Sequence, residues 1–164
     1  MSRLHEPEQQ EAIAFLQEIW QRLEHFPTLG EVAEIHRGVE CPLPNDEHRY
    51  VSPIPRRGFQ PGLWKVTASF AGFLPESRAS YLSTKLDDRN GGAFAFDWQS
   101  PKVIANAATL SRGMWRVAGF ADHEGLIVSQ NFHGIWPRDI RWLEAIEAVV
   151  NGPLANAFVA AHDG

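Results

Sequence analysis

Five prolines fall between positions 41 and 62: Pro42, Pro44, Pro53, Pro55 and Pro61. Each fixes its own φ and lacks an amide proton, so no long helix and no central strand is expected through this stretch. It reads as a long loop or a set of edge pieces, and loops of that length in a compact domain are often functional. The prolines also divide two kinds of hydrophobic pattern. Upstream, Ile13, Leu16, Ile19, Trp20 and Leu23 recur at helical spacing. Pro7 suits a first helical position, Glu8 and Glu11 suit the positive end of the helix dipole, and Phe26-Pro27 is a stop. A helix is therefore expected over residues 7–25, followed by a short strand over 32–36 and a turn at Arg37-Gly38.

Downstream, short apolar runs predict strands over 63–70, 93–98, 102–106, 115–120 and 126–130, with Phe94, Phe96 and Trp98 on one face of the second. Residues 79–85 read as strand or helix. The run Asp88-Arg89-Asn90-Gly91-Gly92 predicts a tight turn. Helical spacing returns over 139–150, where Ile140, Leu143, Ile146, Val149 and Val150 make the expected buried side. Asn151-Gly152-Pro153 reads as a left-handed cap and proline stop, with a second short helix over 153–160. Strands in the middle and helices at both ends predict an α+β domain. It would hold a twisted, mainly antiparallel or mixed sheet with helices at its N- and C-terminal ends.

The 164 residues suffice for one such core, and 44% hydrophobic content with six Trp and ten Phe speaks against a disordered chain. Cys41 is the sole cysteine, so an internal disulfide and a cysteine zinc cluster are excluded. No apolar run approaches the roughly 20 residues of a membrane span, and the polar, acidic N-terminus is unlike a signal peptide, so a cytoplasmic location is expected. No paired histidine or cysteine spacing accompanies His36, His48, His123 or His133, and Asp87-Asp88 suits a turn better than a metal. Gly-rich phosphate loops, the G-x-S-x-G nucleophile elbow and H-E-x-x-H are all missing. No catalytic residue, metal or cofactor is assigned.

Charge is unevenly spread. The net value is −5, yet residues 1–48 carry 3 Lys/Arg against 10 Asp/Glu, residues 49–116 carry 10 against 4, and residues 117–164 carry 2 against 6. A basic middle between acidic ends is what a localised polyanion-binding face requires. The candidate DNA-facing residues are Arg56, Arg57, Lys65, Arg78, Lys85, Arg89, Lys102, Arg112 and Arg116. Such side chains neutralise phosphates, and Arg also grips guanine by two hydrogen bonds. Gln60, Asn90 and Gln99 are candidates for adenine edges, and Phe59, Phe73 and Tyr81 for stacking. Trp115, Phe120, Ile127, Phe132 and Trp136 are expected in the core. Lys102 and Arg116, being in expected strands, are also candidates for ion pairs that brace the fold.

The block W-Q-S-P-K-V-I-A-N from Trp98, W-R-V-A-G-F-A-D from Trp115, G-L-I-V-S-Q-N-F-H-G-I-W-P from Gly125 and L-E-A-I-E-A-V-V-N-G-P-L-A-N-A-F from Leu143 resembles the target recognition domain of N6-adenine DNA methyltransferases and of type I restriction-modification specificity subunits. The opening L-G-E-V-A-E-I-H-R-G from Leu29 is similar too. The likeness runs over residues 29–160 and is vague over 41–96, where such domains vary with the DNA they read. It implies a β-rich recognition lobe over residues 28–164, preceded by a connector helix over 1–27. It implies double-stranded DNA and a methyltransferase domain or subunit as partners, with a homodimer through the terminal helices as a further arrangement. An N6-adenine methyltransferase also needs an Asn/Asp-Pro-Pro-aromatic motif to hold the flipped base. The closest match, Asn151-Gly152-Pro153-Leu154, lacks the second proline and the ring, so the implied role is recognition without catalysis. The alternative is a module that docks to a methylase or restriction complex without touching DNA.

Overall fold

A computed structural model describes residues 6–40, 47–66, 80–84, 92–107 and 115–162. Over these residues the chain is α+β, built as two sheets and a layer of helices where one sheet was expected. The helices are α1 (Glu6–Leu23), α2 (Leu29–Val32), α3 (Glu47–Tyr50), α4 (Leu143–Val150) and α5 (Pro153–His162). The strands are β1 (Ala33–Arg37), β2 (Val51–Ser52), β3 (Phe59–Leu63), β4 (Ser80–Ser83), β5 (Lys102–Asn106), β6 (Gly119–Asp122), β7 (Ile127–Val128) and β8 (Phe132–Pro137). No helix among the described residues is long and apolar enough to cross a membrane.

The first sheet has the order β1-β8-β5-β6 and is antiparallel throughout. Its central strand β8 is the element the sequence patterning did not separate from its surroundings. The second sheet, β2-β4-β3-β7, is mixed, because β3 and β7 run parallel. Register decides what each face does, since side chains alternate across a strand. Val103, Ala105 and Ile135 share one face of the first sheet and pack on Leu143, Ile146 and Val150 of α4. Ile104, Phe120 and Phe132 share the other face and pack against Leu63, Leu82, Ile127 and Val128 of the second sheet. Each of these large side chains, once fully buried, contributes about 1.5–3 kcal/mol. The first sheet is thus the middle layer, between helices and second sheet.

Three expectations fail here for identifiable reasons. Strand β3 is an interior strand despite Pro61. Thr84 N donates to Gly58 O, and by alternation Pro61 then faces Tyr81 at a non-hydrogen-bonded pair. Its missing N–H points toward β7, whose pairing begins only at Gly62. Residues 93–98 form no strand: Ala93–Ala95 is a 3-10 turn, Phe94 is exposed, and Trp98 is buried with its indole N–H donating to Ala93 O at 2.7 Å. The third concerns α4. Asp139 caps a 3-10 turn, Ile140–Trp142, before the α-helix begins, and Ile140 in that turn is exposed; Val149 is exposed because the buried stripe of the helix is Leu143, Ile146 and Val150. The Arg141 guanidinium and amide hold the Asp139 carboxyl at about 2, well below its ordinary value.

Neither Asn151 (φ −85°, ψ 0°) nor Gly152 takes a positive φ, so the expected left-handed cap is not formed. The Asn151 side chain has another task. Asn151 Oδ1 accepts from Gly119 N (2.9 Å) and its Nδ2 donates to Gly119 O (2.8 Å), as a neighbouring strand would. Asn156 Oδ1 accepts from Arg116 N (2.6 Å) and Val117 N (2.9 Å). Asn106 donates to Arg116 O (3.1 Å) and accepts from Ala118 N (2.7 Å). Three asparagine side chains therefore bond backbone groups of Arg116, Val117, Ala118 and Gly119, where the chain enters edge strand β6. Replacing Asn156 by Leu leaves two amides without an acceptor at a site only 5% exposed. A loss of about 2–4 kcal/mol is expected, from roughly 1–3 kcal/mol per orphaned group less the gain from an apolar side chain. Asn156→Asp, which keeps the acceptor, should lose less. Urea unfolding of both variants checks the order.

His133 on β8 lies opposite Arg37 on β1. Burial, joined by the charge of Arg37, pushes the His133 imidazole below its ordinary 6.5, against a smaller opposite pull from the His36 backbone. The unfolded chain then takes up this proton before the folded one. The contribution of His133 to stability is complete above pH 6.5 and is lost as pH falls below it. A His133→Gln variant should show a flatter stability profile between pH 7 and pH 5 in thermal melts; an unchanged slope would assign the acid sensitivity elsewhere.

Candidate nucleic-acid interface

Ser52 starts the segment that carries the densest arginine cluster. Its hydroxyl donates to Ile54 O (2.7 Å) and receives Ile54 N (3.3 Å), which turns the chain as β2 ends. The turn that follows is closed by Phe59 N donating to Arg56 O at 3.1 Å. Gly58 is its third residue, with φ +81°, the left-handed region where a side chain is strained. That geometry puts Arg57 at the second position of the turn, with Arg56 and Arg57 both exposed. Gly58 O accepts from both Thr84 N and Thr84 Oγ1 at 3.0 Å, so the arginine turn is fastened to the end of β4.

Behind the turn, register sorts the aromatic candidates. Phe59 pairs with Ser83 and Pro61 with Tyr81, so Phe59, Pro61 and Tyr81 share one side of the β3–β4 pair, each half-buried. Val51, Gln60 and Leu82 share the other side, and Val51 and Leu82 belong to the core between the sheets. Phe59 and Tyr81, two of the three stacking candidates, are thus brought together away from that core. Lys65 is exposed just beyond the far end of β3, and Arg49 is exposed on α3 before β2. Arg49 was not among the candidates, although its neighbourhood of like charge is legible in the sequence. Residues 49–66 and 80–84, which build β2, β3, β4 and their flanks, contain Arg49, Arg56, Arg57 and Lys65 and not one Asp or Glu. The described side chains of α1, α4 and their immediate flanks have the opposite balance, with Glu11, Glu18, Glu24, Glu144 and Glu147 against Arg22 and Arg141.

Lys102 does not belong to this face. Its side chain has 0% exposure, and its ammonium donates to Asp122 Oδ2 (2.5 Å) and Trp98 O (2.7 Å). The pair follows from register, because Lys102 and Asp122 are directly opposite on β5 and β6. Of its two expected roles, phosphate contact and internal brace, only the brace is compatible with this burial. Arg116 is half-buried and held through its main chain by Asn106 and Asn156. Gln60 and Gln99, expected at adenine edges, instead meet each other, Gln99 Nε2 reaching Gln60 Oε1 and Gly125 O at 3.4 Å each. Arg78, Lys85, Arg89 and Arg112, together with Phe73 and Asn90, lie outside the described residues. Among the expected core aromatics, Phe120 and Phe132 are buried, while Trp115 and Trp136 are half-buried.

A second aromatic group packs at the core between the sheets, through Trp98 and Trp136. His36, Phe96, Trp136 and Trp98 follow one another with ring centroids 4.6, 4.8 and 4.8 Å apart, and the Lys102 ammonium lies 5.6 Å from the Trp98 ring. Trp136 donates its indole N–H to Asp97 O at 3.0 Å. The row ends on a buried ion pair, Lys102 with Asp122. It reads as packing of the core between the sheets. No protein-family model matches the chain, and no curated protein matches it.

Proposed function

We propose that the chain is a DNA target recognition module, without catalytic activity of its own, that works beside a methyltransferase or restriction partner. The observation that carries this reading is the clustering of charge along the chain: residues 49–66 and 80–84, which carry β2, β3, β4 and the segments joining them, hold Arg49, Arg56, Arg57 and Lys65 and no carboxylate, with Glu47 the acid just before them. An arginine turn fastened at the edge of a half-buried aromatic side offers phosphate neutralisation and a stacking surface in one place. The resemblance of residues 98–158 to target recognition domains supports the same reading. The described Asp, Glu and His side chains form no group of three that would hold a metal ion. The test is titration of a fluorescent 20-base-pair duplex at several salt concentrations. Wild type is expected to bind with an affinity that falls steeply with salt. The Arg56→Ala/Arg57→Ala variant should bind at least about 10-fold more weakly and lower the log–log salt slope by roughly 2, one unit for each phosphate contact. Equal binding by the variant, or salt-independent binding, would remove the electrostatic basis of the proposal.

A further inference from the structure

The two outer edges of the first sheet are finished differently. On edge strand β6, Gly119 has both its N–H and its C=O bonded by the Asn151 side chain, at 2.9 and 2.8 Å, so that edge is capped at this point. On edge strand β1 the hydrogen-bond phase is fixed at both ends. Arg138 N donates to Val32 O (2.8 Å) and Gly38 N to Phe132 O (2.9 Å), so by alternation Glu34 and His36 bond β8, while Ala33, Ile35 and Arg37 turn their main-chain groups outward. Ala33 N is taken up by Leu29 O of α2, and Arg37 O accepts from His36 Nδ1 at 2.5 Å. No described group bonds the N–H or C=O of Ile35 or the N–H of Arg37. The Ile35 side chain beside them is 48% exposed. An unpaired edge with an apolar side chain at its centre is a template for another strand.

The sequence of β1, A-E-I-H-R, selects which strand. Because only Ala33, Ile35 and Arg37 face outward, an antiparallel copy of β1 has three central registers. Ile35 opposite Ala33 sets Glu34 against Glu34. Ile35 opposite Arg37 sets His36 against His36 and an isoleucine against a guanidinium. Ile35 opposite Ile35 avoids both clashes, since it sets Glu34 against His36 on each side of a two-fold axis. In that register each Ile35 N–H donates to the other Ile35 C=O, and each Arg37 N–H faces an Ala33 C=O. The two isoleucines then meet on the side of the sheet where Ile135, their neighbour on β8, packs against α4. Glu34 is accessible for this pairing: Arg138 Nη1 meets its Oε1 at 3.1 Å, and both side chains remain 54% exposed.

We infer that β1 is a self-association edge, where a second copy of this chain pairs antiparallel about Ile35 and joins the two four-stranded sheets into one. The interface uses neither Arg56 nor Arg57, so it does not rest on the DNA reading, and it differs from a dimer through the terminal helices. Sedimentation equilibrium of the full chain is expected to show a monomer–dimer equilibrium, and hydrogen exchange at the Ile35 and Arg37 amides should slow as concentration rises. Ile35→Pro removes an N–H that β8 does not use and should weaken the dimer at least about 10-fold with unchanged circular dichroism. Ile35→Lys keeps that N–H, sets two ammonium groups at the axis and should do the same. Glu34→Lys and His36→Glu each place like charges opposite one another in their own dimer. Mixed in equal amounts, the two variants should form a heterodimer at least about 3-fold tighter than either homodimer, because the mixture restores opposite charges. A chain that stays monomeric, a dimer indifferent to both Ile35 substitutions, a mixture without preference for the heterodimer, or a dimer broken instead by Trp20→Glu on α1 would overturn the inference.

Discussion

Replacing Asp122 by Ala is expected to lower the free energy of unfolding by about 3–5 kcal/mol, the usual cost of removing one partner from a buried ion pair. Asp122 is 2% exposed and its carboxylate is fully used. Oδ2 accepts Lys102 Nζ and Leu126 N (2.8 Å), and Oδ1 accepts Glu124 N (2.9 Å). Truncation leaves an ammonium inside with one carbonyl, Trp98 O, and opens the turn from β6 to β7. Two further variants separate those effects. Asp122→Asn keeps the shape and part of the turn bonding, so it should lose less than Ala. The double variant Lys102→Met/Asp122→Asn removes both charges and should be more stable than the sum of its single changes implies, since each single change leaves the other charge stranded. Urea unfolding of the wild type, Lys102→Met, Asp122→Asn and the double variant gives the coupling directly. A loss below about 1 kcal/mol for Asp122→Ala would mean that water reaches the pair.

The second large effect is expected at Gly38. A Cβ built there runs into the backbone carbonyls of Val128 and Ser129, with the Ser129 carbonyl carbon at 2.6 Å. These are backbone atoms and no rotamer change relieves the contact. The segment is where the two sheets meet: Gly38 N donates to Phe132 O (2.9 Å), Val39 N to Val128 O (2.8 Å), and Gln130 N to Val39 O (2.9 Å). Val39 and Ser129 form a parallel bridge there. Gly38→Ala must separate these strands, so overpacking and strained or lost hydrogen bonds add. A loss of about 3 kcal/mol or more is expected. Gly30→Ala is the control, because nothing lies within 4 Å of its Cβ and the residue is helical. It should leave stability unchanged or raise it by up to about 1 kcal/mol. Comparable losses for the two glycines would show that the Gly38 contact is not what holds the sheets together.

The elements legible in the sequence are those whose pattern is local and long. Helix α1 was expected over 7–25 and is found at Glu6–Leu23, and β5 was expected over 102–106 and is found at Lys102–Asn106. Strand β8 was missed because F-H-G-I-W-P has no clean alternation. His133 and Ile135 face the helices, while the opposite face is filled by Phe132, a glycine and Trp136. Residues 93–98 misled for the converse reason. Phe94, Phe96 and Trp98 alternate as in a strand, but Trp98 finds its indole partner at Ala93 O only if the chain turns. The basic character of the segments that flank and join β2, β3 and β4 was readable as composition, whereas their geometry was not. Nothing local announces that Phe59 and Tyr81 share a side, since that depends on a register between residues some twenty positions apart.

Composition and local periodicity by themselves determined the class, α+β with helices at both ends and strands between, and the placement of basic charge in the middle of the chain. These are short-range properties, set by side-chain alternation and by residues close together in sequence. Tertiary structure alone decided that there are two sheets, that the proline-broken segment supplies an interior strand, and that Lys102 points inward while Arg56 and Arg57 point out. A lysine in a strand carries the same local signal on either face. Only the aspartate that register sets opposite it, and the layer that closes over both, determine whether the charge meets solvent or is buried as an ion pair.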